Sequence, residues 1–156
     1  MQTPFDIVAD LDTPVSAYLK LRDLKPRFLL ESVEGGERLA RYSFLGFGDA
    51  LEVRLDSKTF SIGEEEFECP QNQMDYLNLL RKGLAAAPQL TPLVEGLPFS
   101  GGLVGVSGYD VVRLFERLPR NTMPQMDIPG AAFIAPSSML IFDHLTRRVA
   151  LLHNSS

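Results

Sequence analysis

Residues 50–62 constrain the fold most, because two segments of alternating apolar and polar side chains are separated there by a short polar run. Every second position of the first half is apolar: Leu51, Val53 and Leu55. This period of two is typical of a strand with one buried face and one exposed face. Asp56–Lys58 then predicts a tight turn, and Thr59–Ile62 predicts the returning strand. Strands joined by so short a turn run antiparallel, so this stretch predicts an antiparallel meander.

Further strands are predicted on both sides of this meander. A short apolar run that ends in polar residues, or apolar residues interrupted by glycine, indicates each of them. They are Arg27–Val33, Tyr42–Gly48, Ser100–Gly108, Met139–His144 and Val149–His153. The last two form a hairpin through Thr146–Arg148, and Glu34–Glu37 is a glycine-containing turn.

Three segments predict helices. Pro14 to about Leu21 follows Thr13, a good N-cap, and Gln73–Ala87 follows Asn72, another good N-cap. Tyr109–Arg117 is a short helix, and the proline-containing segment from Arg120 to Pro129 is a loop. The apolar faces predicted from helical spacing are Val15, Tyr18 and Leu19 in the first helix and Met74, Leu77, Leu80 and Leu84 in the second. Residues 1–156 are therefore predicted to form a single α+β domain, with a largely antiparallel β-sheet and a few flanking helices.

Charge and composition exclude several classes of protein. The formal net charge of −5 argues against a nucleic-acid binder, which needs a basic surface to displace counterions. The N-terminus lacks the basic and apolar regions of a signal peptide, and no apolar run approaches membrane-spanning length. Cys69 is the one cysteine, so it has no partner for an intramolecular disulfide. We expect a cytoplasmic protein that contacts neither nucleic acid nor membrane.

Most residue patterns that carry chemistry are missing. His144 and His153 lie on adjacent predicted strands without triad partners in a suitable place, which argues against a hydrolase. The acidic residues 64–68 predict a solvated turn, since their spacing does not match a metal site. The glycines of residues 101–108 lack the order of a phosphate-binding loop and indicate close backbone packing. We expect no catalytic residue, no metal and no cofactor in this chain.

One pattern suits a small zwitterionic ligand. Glu31 and Ser32 end an apolar strand, where a carboxylate can accept from an ammonium and a hydroxyl can donate or accept. Arg41 lies in the segment that returns from the turn and suits a ligand carboxylate. The residues alone favour the other interpretation, a strand end whose polar side chains face water, because such strand ends are common.

Three ordered segments carry a family resemblance. They are Phe28–Gly46, which contains Leu-Leu-Glu-Ser at residues 29–32, then Phe99–Glu116 with Gly-Gly-x-x-Gly and Tyr-Asp, and Leu140–His144. Together they resemble the N-terminal region of the large subunit, component I, of anthranilate synthase, a chorismate-utilising enzyme. Val106 departs from the pattern, because the family often has an aromatic residue there. The related aminodeoxychorismate synthase shares some of these motifs, and a self-standing binding domain is a further alternative.

The resemblance implies a regulatory function rather than a catalytic one. Family members are much longer, and their chorismate-binding and magnesium-binding residues lie in a C-terminal region absent here. We therefore expect a truncated fragment that is inactive alone. The complete enzyme would be a lyase that needs Mg²⁺ and converts chorismate to anthranilate and pyruvate. It would use ammonia from a glutamine amidotransferase subunit, component II.

The resemblance also implies which residues bind a regulator. In the family, the serine and glutamate of Leu-Leu-Glu-Ser line the pocket for L-tryptophan, the feedback inhibitor. These positions carry over to Ser32 and Glu31, with Leu30 as a wall or backbone contact and Arg41 as a further candidate. The other half of the pocket would come from the missing region.

Overall fold

The computed structural model describes residues 7–8, 11–31, 41–117 and 128–154. Eight strands occur in these residues, and their pairing is mostly antiparallel. They are β1 (Ile7–Val8), β2 (Pro26–Glu31), β3 (Tyr42–Leu55), β4 (Thr59–Ile62), β5 (Glu65–Glu68), β6 (Val104–Ser107), β7 (Ala131–Asp143) and β8 (Arg148–His153). The helices are α1 (Pro14–Lys20) and α2 (Gln73–Ala86), with 3-10 helices at Arg22–Leu24 and Tyr109–Leu114. This content confirms the α+β prediction.

The chain divides into two compact units. The first unit contains Met1–Ala50, Pro88–Gly101 and Pro136–Ser156, and the second contains Leu51–Ala87 and Gly102–Ala135. The prediction that residues 1–156 form one domain stays a prediction. The predicted turn at residues 34–37 and most of the predicted loop at 120–129 lie outside the described residues.

The first unit packs apolar side chains on both faces of its strands. β2 pairs with β3, and β7 pairs with β8 as the predicted hairpin, with Met139 opposite Leu152. One cluster contains Met139, Ile141 and Leu152 with Phe28 and Phe44 against it. The other contains Ala17, Leu45, Phe142 and Val149. Because alternate strand residues point to opposite faces, the β2–β3 pair contributes to both clusters.

Helix α1 begins as predicted but buries a different face. Thr13 caps it by accepting a hydrogen bond from the backbone N–H of Ser16, and Ser16 caps the N–H of Thr13 in return. Of the predicted core residues, Tyr18 packs against the Leu45 cluster. The prediction was wrong for Val15 and Leu19, which are 50% and 65% exposed. The small Ala17 is buried instead, so a pattern weighted toward large apolar residues mispredicted the buried face of the helix.

The second unit contains the predicted meander. β4 pairs with β3, and its Phe60 and Ile62 are buried together with Val53 and Tyr76. The acidic residues 64–68 were predicted to form a turn, and this prediction was wrong for residues 65–68. They form strand β5, which pairs with β4. Phe67 packs against this core, while Glu65, Glu66 and Glu68 are exposed. A single inward apolar residue among carboxylates is too weak a pattern to distinguish a short strand from a turn.

Helix α2 also begins at its predicted cap. Asn72 accepts a hydrogen bond from the N–H of Asp75. The buried face contains Tyr76 and Gly83, whereas the predicted Met74 and Leu84 are 61% and 52% exposed, which corrects that prediction. A Cβ on Gly83 would lie 3.0 Å from Val53, so the absent side chain allows the close approach of this face.

The glycine-rich segment forms a strand in close backbone contact. Gly105 of β6 pairs with Phe133 of β7, and a Cβ on Gly105 would lie 2.0 Å from the carbonyl oxygen of Ala132. This contact supports the interpretation that the glycine serves packing. None of the described helices is long and apolar enough to cross a membrane.

Candidate functional site

Strand β2 ends at the carboxylate of the predicted ligand motif. Glu31 is its last residue, is exposed, and lies opposite Ser43 of β3 in the antiparallel register. Ser32 belongs to residues 32–40, which lie outside the described residues. The structure thus places the residue that precedes Ser32, and Ser32 itself stays a prediction.

Leu30 and Glu31 point to opposite faces of the strand pair. Phe28 packs against the cluster that contains Met139, whereas Leu29 packs against the cluster that contains Leu45. Strand alternation places the side chain of Leu30 on the face of Phe28 and that of Glu31 on the face of Leu29. Leu30 is 41% exposed. A ligand at the end of β2 would meet both residues only by contacting the strand edge.

Arg41 forms an ion pair that the sequence did not indicate. Its Nε and Nη2 atoms donate to the two carboxylate oxygens of Asp143, at 3.3 and 3.0 Å. The side chain of Asp143 is 5% exposed, while that of Arg41 is 51% exposed. The guanidinium carbon of Arg41 also lies 4.8 Å from the ring centre of Tyr42. The guanidinium is therefore bonded on one side and open to solvent on another.

The carboxyl group of Asp143 is held in its charged form. Burial acts to raise its pKa, but the hydrogen bonds from Arg41 and from the N–H of Leu145 outweigh burial and lower the pKa below the ordinary 3.8. The same pair raises the pKa of Arg41. An acidic group whose pKa is lowered by folding stabilises the folded state above its ordinary pKa. That contribution is lost as the pH falls through the lowered value.

Replacing Arg41 by methionine should therefore destabilise the protein in a pH-dependent way. Arg41→Met leaves a buried carboxylate with fewer donors, so the urea midpoint should fall at neutral pH. The gap between wild type and variant should shrink as the pH falls below about 4, the ordinary pKa of an aspartate, and through the lowered pKa of Asp143. Urea unfolding across this range measures it, and a gap independent of pH would contradict the role given to Asp143.

The two histidines each bond a serine. The Nε2 atom of His144 lies 2.8 Å from the Oγ of Ser43, and the Nδ1 atom of His153 lies 2.8 Å from the Oγ of Ser138. Both hydroxyls are shielded, since Ser43 is 2% and Ser138 5% exposed. Both carboxylate oxygens of Asp143 already accept hydrogen bonds from Arg41. These pairs therefore lack the accessible nucleophile and the orienting acid of a hydrolase.

A shallow cavity lies beside the Arg41–Asp143 pair. It has a volume of about 180 Å³ and is lined by Asp12, Phe142, Asp143, His144, Arg147 and Arg148. Ligand sites usually enclose roughly 300–1,000 Å³. This cavity is small and polar, so it does not by itself provide the apolar wall that an aromatic ligand requires.

The thiol of Cys69 suits a structural role. Its Sγ donates to the carbonyl oxygen of Asp56 at 3.6 Å. Burial and the nearby charge of Asp56 both raise the pKa of Cys69, which disfavours the reactive thiolate. In the described part of the chain, no group of three or more His, Cys, Asp or Glu residues could hold a metal ion.

Sequence comparison identifies relatives of this chain. No protein-family model matches it. Anthranilate synthase component 1 of Thermus thermophilus is 40% identical over 147 residues, which cover 94% of this chain and 30% of the relative. The protein of the same name from Pseudomonas aeruginosa is 36% identical over 154 residues, covering 93% and 30%. The one from Acetivibrio thermocellus is 32% identical over 149 residues, covering 96% and 30%.

Structural comparison agrees with these relatives. The crystal structure of anthranilate synthase component I from Streptococcus pneumoniae matches 99% of this chain and 32% of its own, with a TM-score of 0.59. At 21% identity this likeness shows the fold alone. The chain spans about 30% of the length of the curated relatives it matches. The relatives and the fold together confirm the resemblance: nearly the whole chain corresponds to the N-terminal region of anthranilate synthase component 1.

Proposed function

We propose that this chain is the regulatory N-terminal part of an anthranilate synthase component 1 and carries half of a pocket for the feedback inhibitor L-tryptophan. The observation that carries the proposal is the position of Glu31, which is exposed at the end of β2. Glu31 lies opposite Ser43, the second residue of β3, and Arg41 directly precedes β3. The proposed residues are Ser32, Glu31, Leu30 and Arg41.

The chemistry of these residues matches an amino acid. The carboxylate of Glu31 would accept from the ligand ammonium, and the hydroxyl of Ser32 would supply a further hydrogen bond. The guanidinium of Arg41 has N–H groups beyond the two that Asp143 occupies, so it can also donate to a ligand carboxylate. The exposed Leu30 lies on the opposite strand face and would contribute at the strand edge.

The remaining parts of the proposal concern the complete protein. The relatives are about three times as long as the matched region, so the apolar walls for an indole ring would come from chain beyond it. We place the conversion of chorismate to anthranilate, its Mg²⁺ and the contact with a glutamine amidotransferase subunit in that complete protein, in the cytoplasm. The 156-residue chain alone should be inactive.

Tryptophan binding tests whether the pocket is split in this way. The chain contains no tryptophan, so the fluorescence of added L-tryptophan reports binding directly. We expect no measurable binding to the 156-residue chain at millimolar ligand, because half of the contacts are missing. We expect saturable binding to the full-length protein.

Two outcomes would contradict the proposal. Tight binding to the 156-residue chain would show that the pocket is complete within it. Absence of binding to the full-length protein would show that the family's feedback site is not used here. L-Phenylalanine, which lacks the indole N–H, serves as the matched control ligand for both proteins.

A further inference from the structure

Three contacts connect the start of β3 to the end of β7. The side chain of Arg41 donates to Asp143, the N–H of His144 donates to the carbonyl oxygen of Arg41 at 2.8 Å, and Ser43 bonds the ring of His144. These contacts join residues about one hundred positions apart in sequence. They hold the start of β3, the strand that follows residues 32–40 in the sequence.

The Asp143 carboxylate is itself held in place. It is nearly fully buried, and one of its oxygens accepts from the N–H of Leu145, at 3.0 Å, within the β7–β8 turn. The backbone of Thr146, in the same turn, is a further hydrogen-bond partner, and the two guanidinium nitrogens of Arg41 complete these contacts. A carboxylate fixed by the backbone therefore sets the plane in which the guanidinium lies.

The guanidinium keeps donors on its open side. Arginine has five N–H donors, and the pair with Asp143 uses Nε and one N–H of Nη2. The remaining three belong to a side chain that is half exposed and lies against the ring of Tyr42. The arrangement resembles a preorganised anion-binding site. One carboxylate orients the guanidinium, and the other edge of the guanidinium stays available for a second carboxylate.

We propose that Asp143 is a positioning residue for the tryptophan site, which orients Arg41 toward the ligand carboxylate without contacting the ligand itself. This inference rests on the proposed function. It adds a residue from the distant β7–β8 hairpin to a site that the sequence places in residues 30–41. Orientation before binding reduces the side-chain freedom that the ligand would otherwise have to restrict.

The test is Asp143→Asn in the full-length protein. Asparagine keeps the size of the side chain and an oxygen for Leu145, but its amide cannot accept both hydrogen bonds from Arg41. We expect the tryptophan inhibition constant to rise about tenfold, while kcat and KM for chorismate stay within about twofold of wild type. Asp49→Asn is the matched control, because Asp49 also pairs with a cation, Lys25 at 2.7 Å, but at an exposed position.

A double variant separates positioning from general destabilisation. In Arg41→Met the carboxylate of Asp143 has no guanidinium to orient, so adding Asp143→Asn should leave the inhibition constant unchanged. The double variant also lacks the unpaired buried carboxylate that Arg41→Met alone leaves, so we expect it to be at least as stable as Arg41→Met. Effects that multiply in the double variant would overturn the proposal, because Asp143 would then act independently of Arg41.

The outcomes also separate this inference from the proposed function. If tryptophan does not inhibit the wild-type protein, the proposed function is wrong. If tryptophan inhibits the wild type and Asp143→Asn keeps the wild-type inhibition constant, the proposed pocket stands and the positioning role is wrong. A thermal unfolding measurement on each variant identifies any that is inactive because it is unfolded.

Discussion

Gly105→Ala is expected to destabilise the protein by about 3 kcal/mol or more, a large part of the roughly 5–15 kcal/mol that stabilises a typical domain. The added Cβ would lie 2.0 Å from the carbonyl oxygen of Ala132 and 2.6 Å from the Cα of Phe133. Both atoms belong to the backbone of β7, so no rotation of a side chain can relieve the overlap. Strands β6 and β7 would have to separate and lose part of their hydrogen bonding.

Gly130→Ala is the matched control for Gly105→Ala. The same atoms are added, but the nearest neighbours of the new Cβ would be 3.5 Å away on Leu55, an ordinary contact. Both changes reduce the freedom of the unfolded chain alike. Urea unfolding of the two variants measures the difference in their free energies of unfolding. Equal values would show that β6 and β7 are farther apart at Gly105 than these distances require.

Ser32→Ala in the full-length protein is expected to raise the tryptophan concentration needed for inhibition at least about tenfold, which corresponds to about 1.4 kcal/mol. The change removes a hydroxyl that would bond a charged group of the ligand, an interaction typically worth about 1.5–3 kcal/mol. Chorismate turnover without tryptophan should stay largely intact, because the proposed site is regulatory. Inhibition curves at fixed chorismate measure both quantities.

Ser57→Ala is the control for the serine substitution. Ser57 is exposed in the turn between β3 and β4, so its replacement should leave inhibition unchanged. If Ser32→Ala has the inhibition curve of wild type, Ser32 has no role in regulation. If Ser32→Ala lowers turnover as much as it lowers inhibition, the residue serves the fold or catalysis rather than the tryptophan site.

Features that depend on near neighbours in sequence were predicted well. Thr13 and Asn72 cap their helices as expected, because capping satisfies backbone N–H groups only two or three residues away. The turns after β3 and β7 were also predicted, since turn chemistry and alternation are local signals. Sequence alone did not show that Tyr42–Leu55 is one strand, because Gly46 and Gly48 resemble strand breaks.

The role of glycines depends on partners that are distant in sequence. Gly46 lies opposite Phe28, whose ring occupies the place of the missing side chain: a Cβ on Gly46 would lie 2.4 Å from it. Gly83 likewise brings α2 close to Val53. A glycine that accommodates a neighbour and a glycine that breaks a strand look the same in sequence.

By itself the sequence determined the α+β class, most elements and the family, since local periodicity, caps and ordered motifs are properties of the chain alone. It also identified Glu31, Ser32 and Arg41 as the residues to test. Only the tertiary structure decided that Arg41 pairs with the buried Asp143 and that Ser43 bonds the ring of His144. Arg41 and Asp143 are 102 positions apart, and a pair at that distance forms only when the packing of β3 and β7 brings both side chains together.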